Sequence, residues 1–217
     1  MIGFYNYTVI LTYISLISSF IGITQLFKGN FLFSVFCLII SGGCDMFDGP
    51  VARSCKKRTE QAKTFGIQID SLCDLVCFGV FPAILNYSYT ISINDNLAIP
   101  AVAVGALFLL GALIRLGYFN VMEQERQQNT TERREYYQGL PVTSVALFLP
   151  IVFIFRNIFP LTVYSYILNV FMLGMAVFFV LNIKIKKPHG LYTLVLLAIS
   201  LVMIMVLALQ GAGILRF

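Results

Sequence analysis

The sequence predicts an all-α fold: a polytopic helical membrane bundle of about seven transmembrane helices. Three observations carry that expectation. Of the 217 residues, 59% are hydrophobic and 12% charged, where soluble domains run near 45–50% and roughly 25%. Mean hydropathy is +0.85. Apolar runs approaching the ~20 residues that cross a hydrocarbon layer recur along the whole chain, with no internal repeat or low-complexity tract between them. A soluble enzyme, a disordered chain and a nucleic-acid-binding domain are excluded as first readings. Membrane lipids are the expected surroundings, nucleic acid is not an expected partner, and residues 1–217 read as a single domain.

The expected spans cover about 8–26, 31–52, 65–88, 97–118, 141–157, 160–182 and 190–212. The first opens MIGFYNYTVILTYISLISSF, without a basic leader or a small-residue cleavage site, and so reads as a span rather than a signal peptide. The second and third are joined by a loop carrying Arg53, Lys56, Lys57, Arg58 and Lys63. Arg126, Arg133 and Arg134 follow the fourth, and Arg156 and Pro160 crowd the end of the fifth. The sixth and seventh are the most uniformly apolar, with Lys184, Lys186 and Lys187 between them. Eleven basic residues thus gather on one side against Lys28, Arg156 and Arg216 on the other, which predicts a cytoplasmic N-terminus and basic loops, an outer C-terminus, and a multi-pass protein of the cell membrane. Tyr87, Tyr89, Tyr118, Tyr136 and Tyr137 fall at span ends, where interfacial tyrosines are expected. Cys37, Cys44, Cys55, Cys73 and Cys77 show neither zinc spacing nor a C-x-x-C pair and read mostly as small packing residues. The single histidine, His189, offers no cluster for metal or triad chemistry.

Of five aspartates, Asp45, Asp48, Asp70 and Asp74 lie inside spans two and three, and only Asp95 lies in a loop. Each carboxylate at a helix centre costs roughly 2.5–3.5 kcal/mol on insertion scales, so four must face a polar cavity or a cation rather than lipid. One alone could reach the headgroups; four together are not explained that way. The i,i+3 and i,i+4 spacings put each pair on one helix face. Consecutive antiparallel spans bring the pairs to matching depth, one to two turns below the cytoplasmic surface. The result is a cytoplasmic-side metal site between helices two and three. All-oxygen clusters select hard divalent cations, Mg²⁺ or Mn²⁺, and four acids suffice for two ions about 3.5–4 Å apart, the arrangement of phosphoryl transfer. Gly49 and Ala52 clear side-chain bulk beside Asp48, Gly66 sits one turn before Asp70, and Arg53 can fork onto a phosphate. Close helix packing is the plain alternative for each glycine.

Read together, residues 45–74 run D-x-x-D-G-x-x-A-R and then G-x-x-x-D-x-x-x-D. This resembles the signature of the class I CDP-alcohol phosphatidyltransferase family, integral membrane enzymes of phospholipid synthesis, with every defining position filled. Twelve residues separate Arg53 from Gly66, more than is usual in the family, and the excess falls in the loop. The runs FGIQIDSLCDLVCFGVFPA (65–83), IRLGYFNV (114–121) and QGLPVTSVA (138–146) are similar to the membrane-embedded phosphatidylserine synthases within it. The resemblance implies transfer of the phosphatidyl group from CDP-diacylglycerol to the hydroxyl of L-serine, with release of CMP. It implies Asp45, Asp48, Asp70 and Asp74 around Mg²⁺ or Mn²⁺, with Asp74 also the catalytic base. Gly49, Ala52, Arg53 and Gly66 would lie along the nucleotide and diphosphate, and the protein would be a homodimer.

Arg115, Gln68 and Asn120 are the candidates for binding the acceptor, Arg115 having lipid-headgroup snorkelling as its alternative. Glycerol 3-phosphate or an inositol phosphate are alternative acceptors within the family, for which Arg115, Arg133 and Arg134 could hold the extra phosphate. From a different class, an ion or proton transporter also places acids within the membrane. It has no need of Gly49, Ala52 and Arg53 beside a basic loop. A non-catalytic scaffold would leave the four acids unexplained.

Overall fold

The computed structural model describes residues 9–54, 59–129, 136–186 and 191–215. The apolar runs form helices α1 (Ile10–Leu26), α2 (Phe31–Ser54), α3 (Glu60–Asp74), α4 (Phe81–Ile93), α5 (Ala98–Asn129), α6 (Val145–Ile154), α7 (Leu161–Val180) and α8 (Leu191–Gly211). Four stretches are long and apolar enough to cross a membrane: Phe31–Gly49, Thr64–Ile93, Asp95–Glu125 and Leu161–Val180. Ile10–Leu26, Val142–Asn157 and Val195–Gly211 are apolar helices of shorter length. Each of the seven expected runs is therefore helical, and four of the helices have spanning length.

The helix ends differ from expectation in three places. α2 runs on through Arg53, and α3 starts at Glu60 behind Thr59, whose Oγ1 accepts from the Ala62 amide at 3.2 Å as an N-cap. Most of the expected 54–64 loop is thus helix. α5 continues to Asn129, because the Met, Glu, Gln and Arg that follow its apolar part are good helix formers in water. The all-α expectation needs one small correction: β1 (Tyr136–Gln138) and β2 (Lys184–Lys186) pair antiparallel, with Tyr137 opposite Ile185. The two connections they belong to run side by side, and their backbone groups satisfy one another.

Between α3 and α4 the chain makes a π-helical turn, Leu75–Val80, in which the Phe81 amide donates to the Val76 carbonyl. Pro82 follows immediately; lacking an N–H, it frees a carbonyl one turn back and makes such a widening tolerable. α1 packs on α2 and on this turn through small residues. Ser34 Oγ donates to the Gly22 carbonyl at 2.9 Å, and Ser19 and Ser41 hydroxyls meet at 2.9 Å. A Cβ on Gly22 would lie 2.9 Å from Cys37 Cβ and against the Phe81 ring, so only glycine fits. Tyr89, expected at an interface with water, is buried instead, its ring edge-on to Phe31, Phe153 and Tyr164 at 5.0, 5.5 and 5.5 Å.

Candidate active site

α2 carries Asp45 and Asp48 near its C-terminal end, and α3 carries Asp70 and closes on Asp74. One carboxylate oxygen from each of Asp45, Asp70 and Asp74 lies within 4.8 Å of the others. Asp48 reaches Asp70, and Asp45 reaches Asp74, so the four form one group across the two helices. All are partly buried. Among the described residues, the titratable groups facing these carboxylates are one another and neighbouring thiols, not cations. Four acids held together in a low-dielectric setting repel, and a set of oxygen ligands without a basic partner suits a hard divalent ion. The donor set fits Mg²⁺ or Mn²⁺.

α1 fixes the group from behind. Cys73 Sγ donates to the Thr12 carbonyl at 3.1 Å, and Ser15 Oγ contacts both Cys77 Sγ at 3.5 Å and the Ser41 carbonyl at 3.3 Å. Cys73 and Cys77 therefore form the face of α3 and the π turn that is turned toward α1, leaving Asp70 and Asp74 for α2. The expectation that the cysteines serve packing holds for Cys37, Cys73 and Cys77, which are buried. Cys73 and Cys77 also carry hydrogen bonds to α1, for which the i,i+4 cysteines flanking an intramembrane aspartate are the signal in sequence.

Gly49, Ala52 and Arg53 lie on the last turns of α2, and Gly66 lies one turn before Asp70 on α3. The side chains of Ala52, Arg53 and Lys63 are outside the described set, as are residues Cys55, Lys56, Lys57, Arg58, Arg133, Arg134, Lys187, His189 and Arg216. The three acceptor candidates part company. Asn120 accepts from Ser71 Oγ at 2.8 Å, tying α5 to α3 one residue from Asp70. Gln68 is exposed on α3. Arg115 does not snorkel: it is buried on α5, with Nε donating to the Leu140 carbonyl at 3.2 Å and Nη2 to that of Gly139 at 3.4 Å.

Residues 5–182 match the CDP-alcohol phosphatidyltransferase family, and the chain belongs to that family. It is 30% identical over 200 residues to a CDP-diacylglycerol–serine O-phosphatidyltransferase of Helicobacter pylori strain 26695, covering 86% of this chain and 78% of the relative. The corresponding enzyme of H. pylori strain J99 is 31% identical over 143 residues, 64% of this chain and 55% of the relative. An archaetidylserine synthase of Methanothermobacter thermautotrophicus is 30% identical over 130 residues, 60% of this chain and 50% of its own length. The match thus spans little more than half of the J99 and archaeal relatives.

Proposed function

We propose that the chain is a CDP-diacylglycerol–serine O-phosphatidyltransferase of phospholipid synthesis, with its site on the cytoplasmic side of a seven-span membrane bundle that assembles as a homodimer. The observation that carries the reaction class is the convergence of Asp45, Asp70 and Asp74 oxygens within 4.8 Å, at the signature positions of the family. Serine as acceptor is supported by the activity of the relatives from two H. pylori strains.

Asp45, Asp48, Asp70 and Asp74 would hold one or two Mg²⁺ or Mn²⁺ ions. Bound there, such ions supply the positive charge that neutralises the diphosphate and the oxygens entering and leaving phosphorus. The chain's own residues do the rest. Gly49, Ala52 and Gly66 leave the ends of α2 and α3 open to the nucleotide, and Arg53 forks onto a phosphate oxygen. Asp74, at the junction of α3 and the π turn, takes the proton of the serine hydroxyl. The serine oxygen forms its bond to phosphorus as the phosphorus–oxygen bond to CMP breaks, and CMP departs with that electron pair.

The test is CMP release by the purified protein in detergent from CDP-diacylglycerol, with and without Mg²⁺ or Mn²⁺. Serine, glycerol 3-phosphate, myo-inositol and inositol phosphate are offered in parallel. Metal-dependent release with serine is expected; release with another acceptor and not serine overturns the assignment of the acceptor, and none with any overturns the enzyme.

A further inference from the structure

Residues 139–144 link α5 to α6 and are pinned at several points. The Gly139 amide donates to the Ile183 carbonyl at 2.7 Å, and that of Leu140 to the Phe178 carbonyl at 3.4 Å. Arg115 holds both residues' carbonyls from α5. Gly139 sits at φ +79°, where an added Cβ would meet the Leu181 carbonyl oxygen at 3.0 Å, so the turn admits only glycine there. The chain then enters a 3-10 turn, Val142–Ser144, whose Val142 is buried, and continues as α6.

That turn packs against α2, which carries Asp45 and Asp48, and against the π turn that follows Asp74. The depth follows from one contact. A Cβ on Gly42 would lie 2.6 Å from Ala146 Cβ, so α2 and α6 touch there. Asp45 is three residues beyond Gly42 toward the cytoplasmic end, and Ser144 two residues before Ala146, toward the same end of α6. At about 1.5 Å per residue the two stand at the same level. Ser144 Oγ is enclosed by protein yet has no hydrogen-bond partner. A buried hydroxyl left unpaired is costly, so such an orphan calls for a partner that the protein itself does not supply. A serine hydroxyl can donate, and the carboxylates at its level can only accept. Ser144 as a whole is partly exposed, so the residue borders open space.

We propose that Ser144 is an acceptor-binding residue whose hydroxyl donates a hydrogen bond to the carboxylate of the amino-acid acceptor, and that Arg115 is the positioning residue that holds the 139–144 turn in place for it. The inference rests on the phosphatidyl-transfer reading above and adds to it the group that recognises the acceptor. Arg115 then serves serine through the backbone of Gly139 and Leu140 rather than by touching it.

The test compares wild type, Ser144→Ala, Ser144→Thr and Arg115→Lys in the CMP-release assay, with serine and with serinol, which has a hydroxymethyl group in place of the carboxylate. Ser144→Ala should raise the serine KM about tenfold or more while the KM for CDP-diacylglycerol stays put, and should erase most of the preference for serine over serinol. Its unfolding temperature should not fall, because removing an orphaned hydroxyl removes its cost. Ser144→Thr should restore the serine KM. Arg115→Lys should reproduce the rise in serine KM with the CDP-diacylglycerol KM unchanged. An unaltered serine KM in Ser144→Ala, or an equal loss with serine and serinol, overturns the assignment of Ser144; a lower unfolding temperature in Arg115→Lys without the KM change overturns that of Arg115. Wild type that turns over no serine overturns the underlying reading instead.

Discussion

Two of the polar groups within the apolar bundle are built on opposite terms. Between α4 and α7, Asn86 Nδ2 donates to Asn169 Oδ1 at 3.1 Å, and Asn169 Nδ2 donates to Thr90 Oγ1 at 2.9 Å and to the Ser165 carbonyl at 2.8 Å. Asn86, Thr90 and Ser165 are fully buried, neutral and, apart from Asn86 Oδ1, supplied with partners from the protein itself. Between α2 and α3, four carboxylates face one another with no cation among the described residues to answer them. The first arrangement glues helices; the second holds like charges together, which costs stability unless a cation joins them. Polarity in a membrane is therefore not by itself a sign of function. Unanswered charge is.

The comparison breaks first at the acids. Asp45→Asn, Asp48→Asn and Asp70→Asn should each lower CMP release by about a hundredfold or more, since an amide keeps the shape and loses the charge that holds the ion. In metal-free buffer, their unfolding temperatures should equal or exceed that of wild type, because each removes like-charge repulsion. Near-normal rates in two of the three would end the assignment of this cluster as a metal cage. Asp74→Asn sharpens the division of labour within the group. Loss of a base should cut kcat by roughly 10²–10⁴-fold with CDP-diacylglycerol affinity little changed, and kcat/KM should fall in step. Single-turnover CMP release and lipid-nucleotide binding on the same sample decide it: a large affinity loss with intact chemistry at saturation makes Asp74 a ligand only. The smallest effect belongs to the neutral cluster. Asn169→Ala should cost about 1–2 kcal/mol of stability, read as a lower unfolding temperature, and leave turnover per folded molecule unchanged.

What could be read in the chain before its structure divides along similar lines. Asp45, Asp48, Asp70 and Asp74 were legible because intramembrane charge is costly and helical spacing converts directly into a shared face. The seven apolar runs were legible because hydropathy integrates over many residues. Arg115 was not: a lone arginine near a span end has the same local pattern whether it snorkels or turns inward, and its partners are carbonyls of Gly139 and Leu140, more than 20 positions away. The pairing of β1 with β2 escaped for the same reason, as did the tie from Ser71 to Asn120. The extension of α5 past its apolar part was in principle readable from its Glu, Gln and Arg, but span length hides helix length where a helix leaves the hydrocarbon. Ser144 lies in the run 138–146 that resembles the family, but no residue pattern there picks it out; it is singled out by what its hydroxyl lacks.

The π-helical turn Leu75–Val80 has a consequence for how this long helix is phased. A π turn holds about one residue more than an α turn, so it rotates everything after it by about 100° relative to a continuous α-helix. In a continuous α-helix at 100° per residue the Asn86 and Thr90 pair would stand about 160° around from the Asp70 and Asp74 pair; the slip brings the two faces to about 60° apart, the acids toward α2 and the amide and hydroxyl toward α7. The turn works as a phase slip that sets the angle between the half carrying the acids and the half packed on α7. Removing one residue from within 75–80 would erase the slip and force a choice between the acids and the glue.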